Sequence, residues 1–309
     1  MQAFYTDHFV LPLPAGHRFP MQKYSLLRQS VAAIPGVQLK EAPAASDTEL
    51  LLAHDAAYVQ RVITGSLSAA EQREIGFPWT PQMVERSRRS VGATVAACTA
   101  AQKEGVAVNL AGGTHHAYRD KGSGYCVFND AAVAIRVMQR KSPGLKAAII
   151  DLDVHQGNGT ASIFKNDDRV FTLSLHGEKN FPFRKSASDL DIGLADGCGD
   201  KDYLDALHQA LDQLKDRFAP DLLIYLAGAD PHEGDRLGRL KLTDHGMLQR
   251  DQIVLDFAQS IKAPLAIAMA GGYGAKIETT VAIHAQTIDI AARYTWAGDS
   301  SGLTAYSGE

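Results

Sequence analysis

The chain has 309 residues, 45% hydrophobic and 21% charged, enough apolar material for one large α/β domain or two ordinary ones. A formal net charge of −4 leaves no basic footprint for nucleic acid and no polybasic patch for a membrane surface. Three cysteines (Cys98, Cys126, Cys198) at no metal-like spacing argue against a disulfide framework. Residues 1–5 lack a signal-peptide pattern, and no apolar run nears the ~20 residues of a membrane helix, so a cytoplasmic protein is expected.

Residues 3–6 predict a first strand, followed by a loop holding Pro12, Pro14, Gly16 and Pro20. Helical spacing over 21–33 closes at Pro35 and Gly36, and 50–63 predicts a short helix with Tyr58, Val59, Val62 and Ile63 on its apolar face. Thr80 as N-cap and Pro81 at the first position open a helix that ends at Gly105. Its buried face carries Val84, Val91, Val95 and Cys98, with Arg88 and Arg89 in solvent. From there strands and helices alternate regularly. Strand 106–110 ends before Gly112-Gly113-Thr114-His115-His116, and helix 129–140 follows. Strand 147–150 stops in Asp151, Asp153 and His155, and strand 169–175 stops at His176. Asp200 caps a helix with Leu204, Leu207, Leu211 and Leu214 inward. Strand 221–227 ends at Gly228-Ala229-Asp230, and helix 247–261 follows. Strand 264–270 ends at Gly271-Gly272-Tyr273-Gly274, and a last helix runs over 277–294. The polar tail 299–309 is expected to be loose. Residues 1–309 thus predict one three-layer α/β/α domain around a mostly parallel sheet.

In a parallel sheet all strand ends lie on one edge, where ligands bind. His115, His116, Asp151, Asp153, His155, Asp230 and Tyr273 can therefore converge, the first acid–histidine row by strand alternation. Asp153, His155 and Asp230 make a three-ligand zinc site with an open position for water, a site suited to hydrolysis. Glu233 and Asp235 compete with Asp230 for that role, and His176 competes with His155. One of the paired histidines can take a proton from water and pass it to a leaving amine. Asp151 can fix a histidine tautomer, and the Tyr273 hydroxyl can donate to the oxyanion.

These stretches resemble the histone deacetylase family, zinc-dependent amidohydrolases of the arginase/deacetylase fold. Residues 112–117 and 122–130 resemble its histidine dyad and the glycine-aromatic-cysteine segment after it; residues 151–159 resemble its zinc motif. Residues 228–230 and 271–274 resemble the third-ligand and tyrosine motifs, in the family's order. Residues 233–238 and the short loop 181–183 lean towards a class IV-like bacterial branch. The resemblance implies zinc on Asp153, His155 and Asp230, His116 as general base and acid, His115 as its electrostatic partner backed by Asp151, and Tyr273 as carbonyl-polarising donor. Asn158 stands where some members carry a second Asp beside the second histidine. Gly124 would take the substrate amide, with Tyr125, Phe181 and Leu237 walling an acyl-lysine tunnel. Potassium would sit at Asp151 and the main chain around Asp153, His155, Ser174 and Leu175, and Arg18 at the tunnel's foot. The rim acid of many members has no match in 76–80.

The resemblance therefore implies a deacylase acting on acetylated or acylated lysine in a protein or peptide. The rivals are a small-molecule amidohydrolase acting on acetylpolyamines and a non-catalytic acyl-lysine binding module. The intact proton machinery counts against the second. Gly157 cannot supply the further ligand of a two-metal, arginase-type site.

Overall fold

The runs Ala147–Asp151 and Leu222–Leu226 are buried at every position, so strands made of them need cover on both faces. The computed structural model describes residues 1–294 and supplies that cover. Among the described residues eight strands form one sheet: β1 (Gln2–Tyr5), β2 (Gln38–Glu41), β3 (Val106–Asn109), β4 (Ala147–Asp151), β5 (Val170–Gly177), β6 (Leu190–Leu194), β7 (Leu222–Leu226) and β8 (Leu265–Ala268). All pairings are parallel, in the order β2-β1-β3-β8-β7-β4-β5-β6. The helices are α1 (Gln22–Val31), α2 (Asp47–Leu50), α3 (Ala56–Thr64), α4 (Ala69–Ile75), α5 (Pro81–Glu104), α6 (Asp130–Lys141), α7 (Asn158–Phe164), α8 (Asp200–Arg217), α9 (Asp244–Ser260) and α10 (Ile277–Ala291). Alternate strand residues enter two cores. Ile149, Ile224 and Ala266 pack with α2, α3, α5 and α6; Ile150, Tyr225 and Ile267 pack with α1, α8, α9 and α10. The expected three-layer architecture holds, with the sheet wholly rather than mostly parallel.

Local differences have physical reasons. The helix expected over 50–63 begins only at Ala56, because the reciprocal capping box of Ser46 and Glu49 starts a separate short helix, α2, that ends at Leu50, and residues 51–55 turn between the two. Asp200 is not a cap. Gly199 holds that position, and the Asp200 carboxylate accepts from the N (2.8 Å) and Oγ1 (2.6 Å) of Thr243, tying α8 to the start of α9. Helices α4 and α7 and the edge strands β2 and β6 were not expected. The last helix closes at Ala291 rather than 294. The tail 299–309 lies outside the described residues.

The chain passes from β3 to β4 and later fills the gap between them with β7 and β8. The carboxyl ends of β3, β8, β7 and β4 therefore adjoin. Such a switch in strand order is where an open α/β sheet forms its crevice.

Candidate active site

After β3 the chain turns through Gly112 (φ +81°) and Gly113 (φ +69°), the left-handed conformations glycine tolerates. Asp130, fully buried, accepts from Gly113 N (3.0 Å), Thr114 N (2.7 Å) and Thr114 Oγ1 (2.7 Å), so the start of α6 holds the turn. The turn delivers the buried pair His115 and His116, with ring centroids 4.1 Å apart.

Strand β4 ends at Asp151, so strand alternation does not carry on to Asp153 and His155 as expected. Loop hydrogen bonds gather these residues instead. Asp151 Oδ1 accepts from Asp153 N (3.2 Å) and Asp153 Oδ1 from His155 N (2.9 Å). Asp230, from the β7 end, accepts from Val154 N at 2.8 Å, and Gly271 N, from the β8 end, donates to Asp153 Oδ2 at 2.8 Å.

The donor atoms of Asp153, His155 and Asp230 lie within 4.8 Å of one another. His155 Nδ1 is 2.9 Å from Asp153 Oδ1 and 3.4 Å from Asp230 Oδ2. Asp230 Oδ2 is buried and has no hydrogen-bond partner, an unusual state for a native carboxylate oxygen. A side chain at Gly271 would collide with both carboxylates, so glycine alone keeps the cradle open. This donor set fits a divalent cation held by two oxygens and one nitrogen. The competitors are placed elsewhere. Glu233 is exposed, and His176 Nδ1 lies 2.9 Å from Ser174 Oγ. Asp235 accepts from Leu237 N (2.7 Å) and Tyr273 N (2.6 Å), organising the tyrosine loop.

Electrostatics separates the two histidines. His115 Nδ1 lies 2.7 Å from Asp151 Oδ2. Burial opposes charge on His115, but Asp151 and then Asp153 outweigh it and raise the imidazole to about 9. His116 Nδ1 lies 2.8 Å from Asn158 Oδ1, and Asn158 Nδ2 donates to the Tyr118 hydroxyl at 2.8 Å. Burial, and then the charges of His115 and His155, hold His116 well below its ordinary range. Burial raises the Tyr273 phenol well above its ordinary range, so it stays a donor.

A cavity of about 350 Å³ runs past these groups, and Gly124, Tyr125, Phe181 and Leu237 all line it. Phe181 meets His116 edge to face at 4.8 Å between centroids, and Tyr125 faces Tyr273 at 6.0 Å. A Cβ at Gly124 would come 2.6 Å from the His116 ring and 3.1 Å from Phe181. Asp151 and Ser174 are in-register neighbours on β4 and β5, with Leu175 next along. Arg18 is exposed and does not line the cavity; Lys23 and Arg86 line it instead. Glu74, just before the acid-free stretch 76–80, lines the cavity and is bound by Lys121 at 2.7 Å.

Residues 17–288 match the family model of the histone deacetylase domain. The chain is 42% identical over 283 residues to an uncharacterized protein of Picosynechococcus sp., covering 91% of this chain and 94% of that one. It is 31% identical over 284 residues to the histone deacetylase-like amidohydrolase of Pseudomonas aeruginosa, covering 85% of this chain and 74% of that one. A crystal structure of an HDAC homolog from Aquifex aeolicus has a TM-score of 0.80 to this fold at 25% identity, covering 94% of this chain and 83% of that one.

Proposed function

The chain belongs to the histone deacetylase family, and from that premise we propose that it is a zinc-dependent hydrolase removing acetyl or other acyl groups from lysine side chains. The observation that carries this reading is the orphaned Asp230 Oδ2, facing Asp153 and His155 beside the histidine pair. Asp153, His155 and Asp230 would hold the zinc, which when bound supplies a Lewis acid for the amide carbonyl and for water.

The remaining steps belong to the chain's own residues. With Nδ1–H donated to Asn158 Oδ1, His116 keeps Nε2 free to take a proton from the attacking water and return it to the leaving amine. His115, raised to about 9, is cationic at neutral pH and steadies negative charge developing beside it. Tyr273, held protonated, donates to the carbonyl oxygen as it becomes an oxyanion. Gly124, Tyr125, Phe181 and Leu237 guide the acylated side chain inward. Asp151, Ser174 and Leu175 are the candidates for a potassium site.

The test is acetate release by the zinc-loaded protein from an acetyl-lysine peptide and from N-acetylputrescine, with Asp153→Ala alongside. Peptide turnover that disappears in the variant, together with its stoichiometric zinc, is the expected result. Turnover of N-acetylputrescine alone would move the substrate to small acetylated amines. Stoichiometric zinc with no turnover of any acyl amide would leave a binding module.

A further inference from the structure

Two cations at the inner end of the cavity have no carboxylate to meet. Exposure falls from 37% at Phe181, towards the mouth, to 7% at Arg86 and 2% at Lys23. Lys23 Nζ donates to the Ala270 carbonyl at 3.2 Å and lies 5.3 Å from the Tyr24 ring centroid and 5.8 Å from that of Tyr273. Arg86 Nη1 donates to Thr6 Oγ1 at 3.2 Å, with its guanidinium 4.2 Å from the same Tyr24 ring. Among the described residues neither is ion-paired; Asp7, next to Thr6 in the chain, pairs with Arg28 through Oδ2, and its Oδ1 is bonded to neither cation. Two buried like charges sharing one ring, with only neutral acceptors, are costly unless an anion joins them. Ala270 precedes Gly271, whose N–H holds Asp153, so the Lys23 ammonium is anchored one residue from the loop that touches the metal ligands.

We infer that this inner end is a carboxylate-binding subsite and that the preferred acyl group is a short chain ending in a carboxylate, of the succinyl or glutaryl class. The inference rests on the lysine-deacylase reading. An acetyl group leaves both cations facing nothing, and a neutral longer chain buries its tail against two charges. A terminal carboxylate gives Lys23 and Arg86 their counter-ion, while Leu11 and Met83 line the same space for its methylenes. The reaction is ordinary hydrolysis. Water adds to the acyl carbon, the C–N bond breaks, the lysine amine leaves with a proton, and a dicarboxylate is released.

The test compares kcat/KM for one peptide carrying acetyl-, butyryl-, succinyl- or glutaryl-lysine. Succinyl or glutaryl is expected to exceed both acetyl and butyryl by about tenfold or more, since a site built for a polar group rejects the analogue lacking it. Lys23→Met and, separately, Arg86→Met are expected to collapse the succinyl-to-butyryl ratio within the same variant. A readout that needs no variant is product inhibition, where succinate should bind the wild-type protein about tenfold more tightly than butyrate. Acetyl hydrolysis with succinyl no better than butyryl overturns the inference and leaves the deacylase reading standing; the cations then serve only the acid released. No hydrolysis of any acylated peptide overturns both.

Discussion

What faces Nδ1 of each histidine decides its proton chemistry. His115 faces a carboxylate at 2.7 Å and is raised; His116 faces an amide oxygen at 2.8 Å, which orients the ring without adding charge. Burial and the neighbouring cations therefore depress His116, outweighing the Asn158 hydrogen bond and the Asp153 charge, which both act to raise it. Asn158→Asp would set an anion against Nδ1 and raise His116. Because the base must be neutral to act, the acid limb of the kcat/KM–pH profile should move to higher pH, by about one unit. A limb that stays in place would remove His116 from the role of base. Tyr273→Phe is a cleaner deletion, since the ring still faces Tyr125 while the donor is lost. It should lower kcat by about 10²–10³ with zinc content unchanged; a fall under threefold would take the oxyanion role from Tyr273.

At the level of elements, the loops that present the site depend on His54, a histidine outside the cavity lining. Asn129 caps α6, and its N–H donates to His54 Nε2 at 2.9 Å, while His54 Nδ1 lies 2.9 Å from the Tyr118 carbonyl. His54 thus ties the break between α2 and α3 to the segment that follows the dyad, and it does so as a neutral ring. Burial pushes it down to about 4, against about 6.5 unfolded. A group lowered by folding contributes fully above its unfolded pKa. Stability should therefore be intact above pH 6.5 and drain away towards pH 4, by about 3 kcal/mol. His54→Gln offers a donor and an acceptor without titrating, so its melting temperature should fall less steeply than wild type between pH 7 and 4.5. Parallel slopes would sink the argument. The same elements show what was legible in the chain. Strands β3, β4, β7 and β8, covered on both faces, are continuous apolar runs, and their ends pointed to the Asp153, His155 and Asp230 cluster and to the His115–His116 pair that the fold brings together. Strands β2 and β6 lie at the edges and alternate Gln38, Lys40 and Asp191 with half-buried residues, which reads as loop. Lys23 was unreadable for another reason: a lysine on a helix reads as solvent-facing until packing against Ala270 and Tyr24 shows otherwise.

For the molecule as a whole, the junction of its four central strands is an electrostatic liability until something binds there. Burial, and then Asp153, raise the Asp230 carboxyl to about 6. A carboxyl raised by folding supports stability below its unfolded pKa, near 4, and that support is lost as pH rises through 6. At pH 7 the metal-free fold therefore carries an ionised oxygen with no hydrogen bond, only the His155 ring 3.4 Å away, which the unfolded chain would solvate. Asp230→Asn removes the charge while keeping an oxygen for Val154 N. The metal-free variant should melt above the metal-free wild type at pH 7, by roughly 2 °C or more. Zinc should reverse the order. Binding to the native state adds about 2.7 kcal/mol at a free concentration one hundred times Kd, and only the wild type keeps the full ligand set. Thermal melts of both proteins with chelator and with zinc decide the matter. A metal-free variant less stable than wild type would make Asp230 a structural acid already satisfied by Val154 and His155. The crossing of the two orders would mean that the fold gives up stability at this junction for the ion it binds.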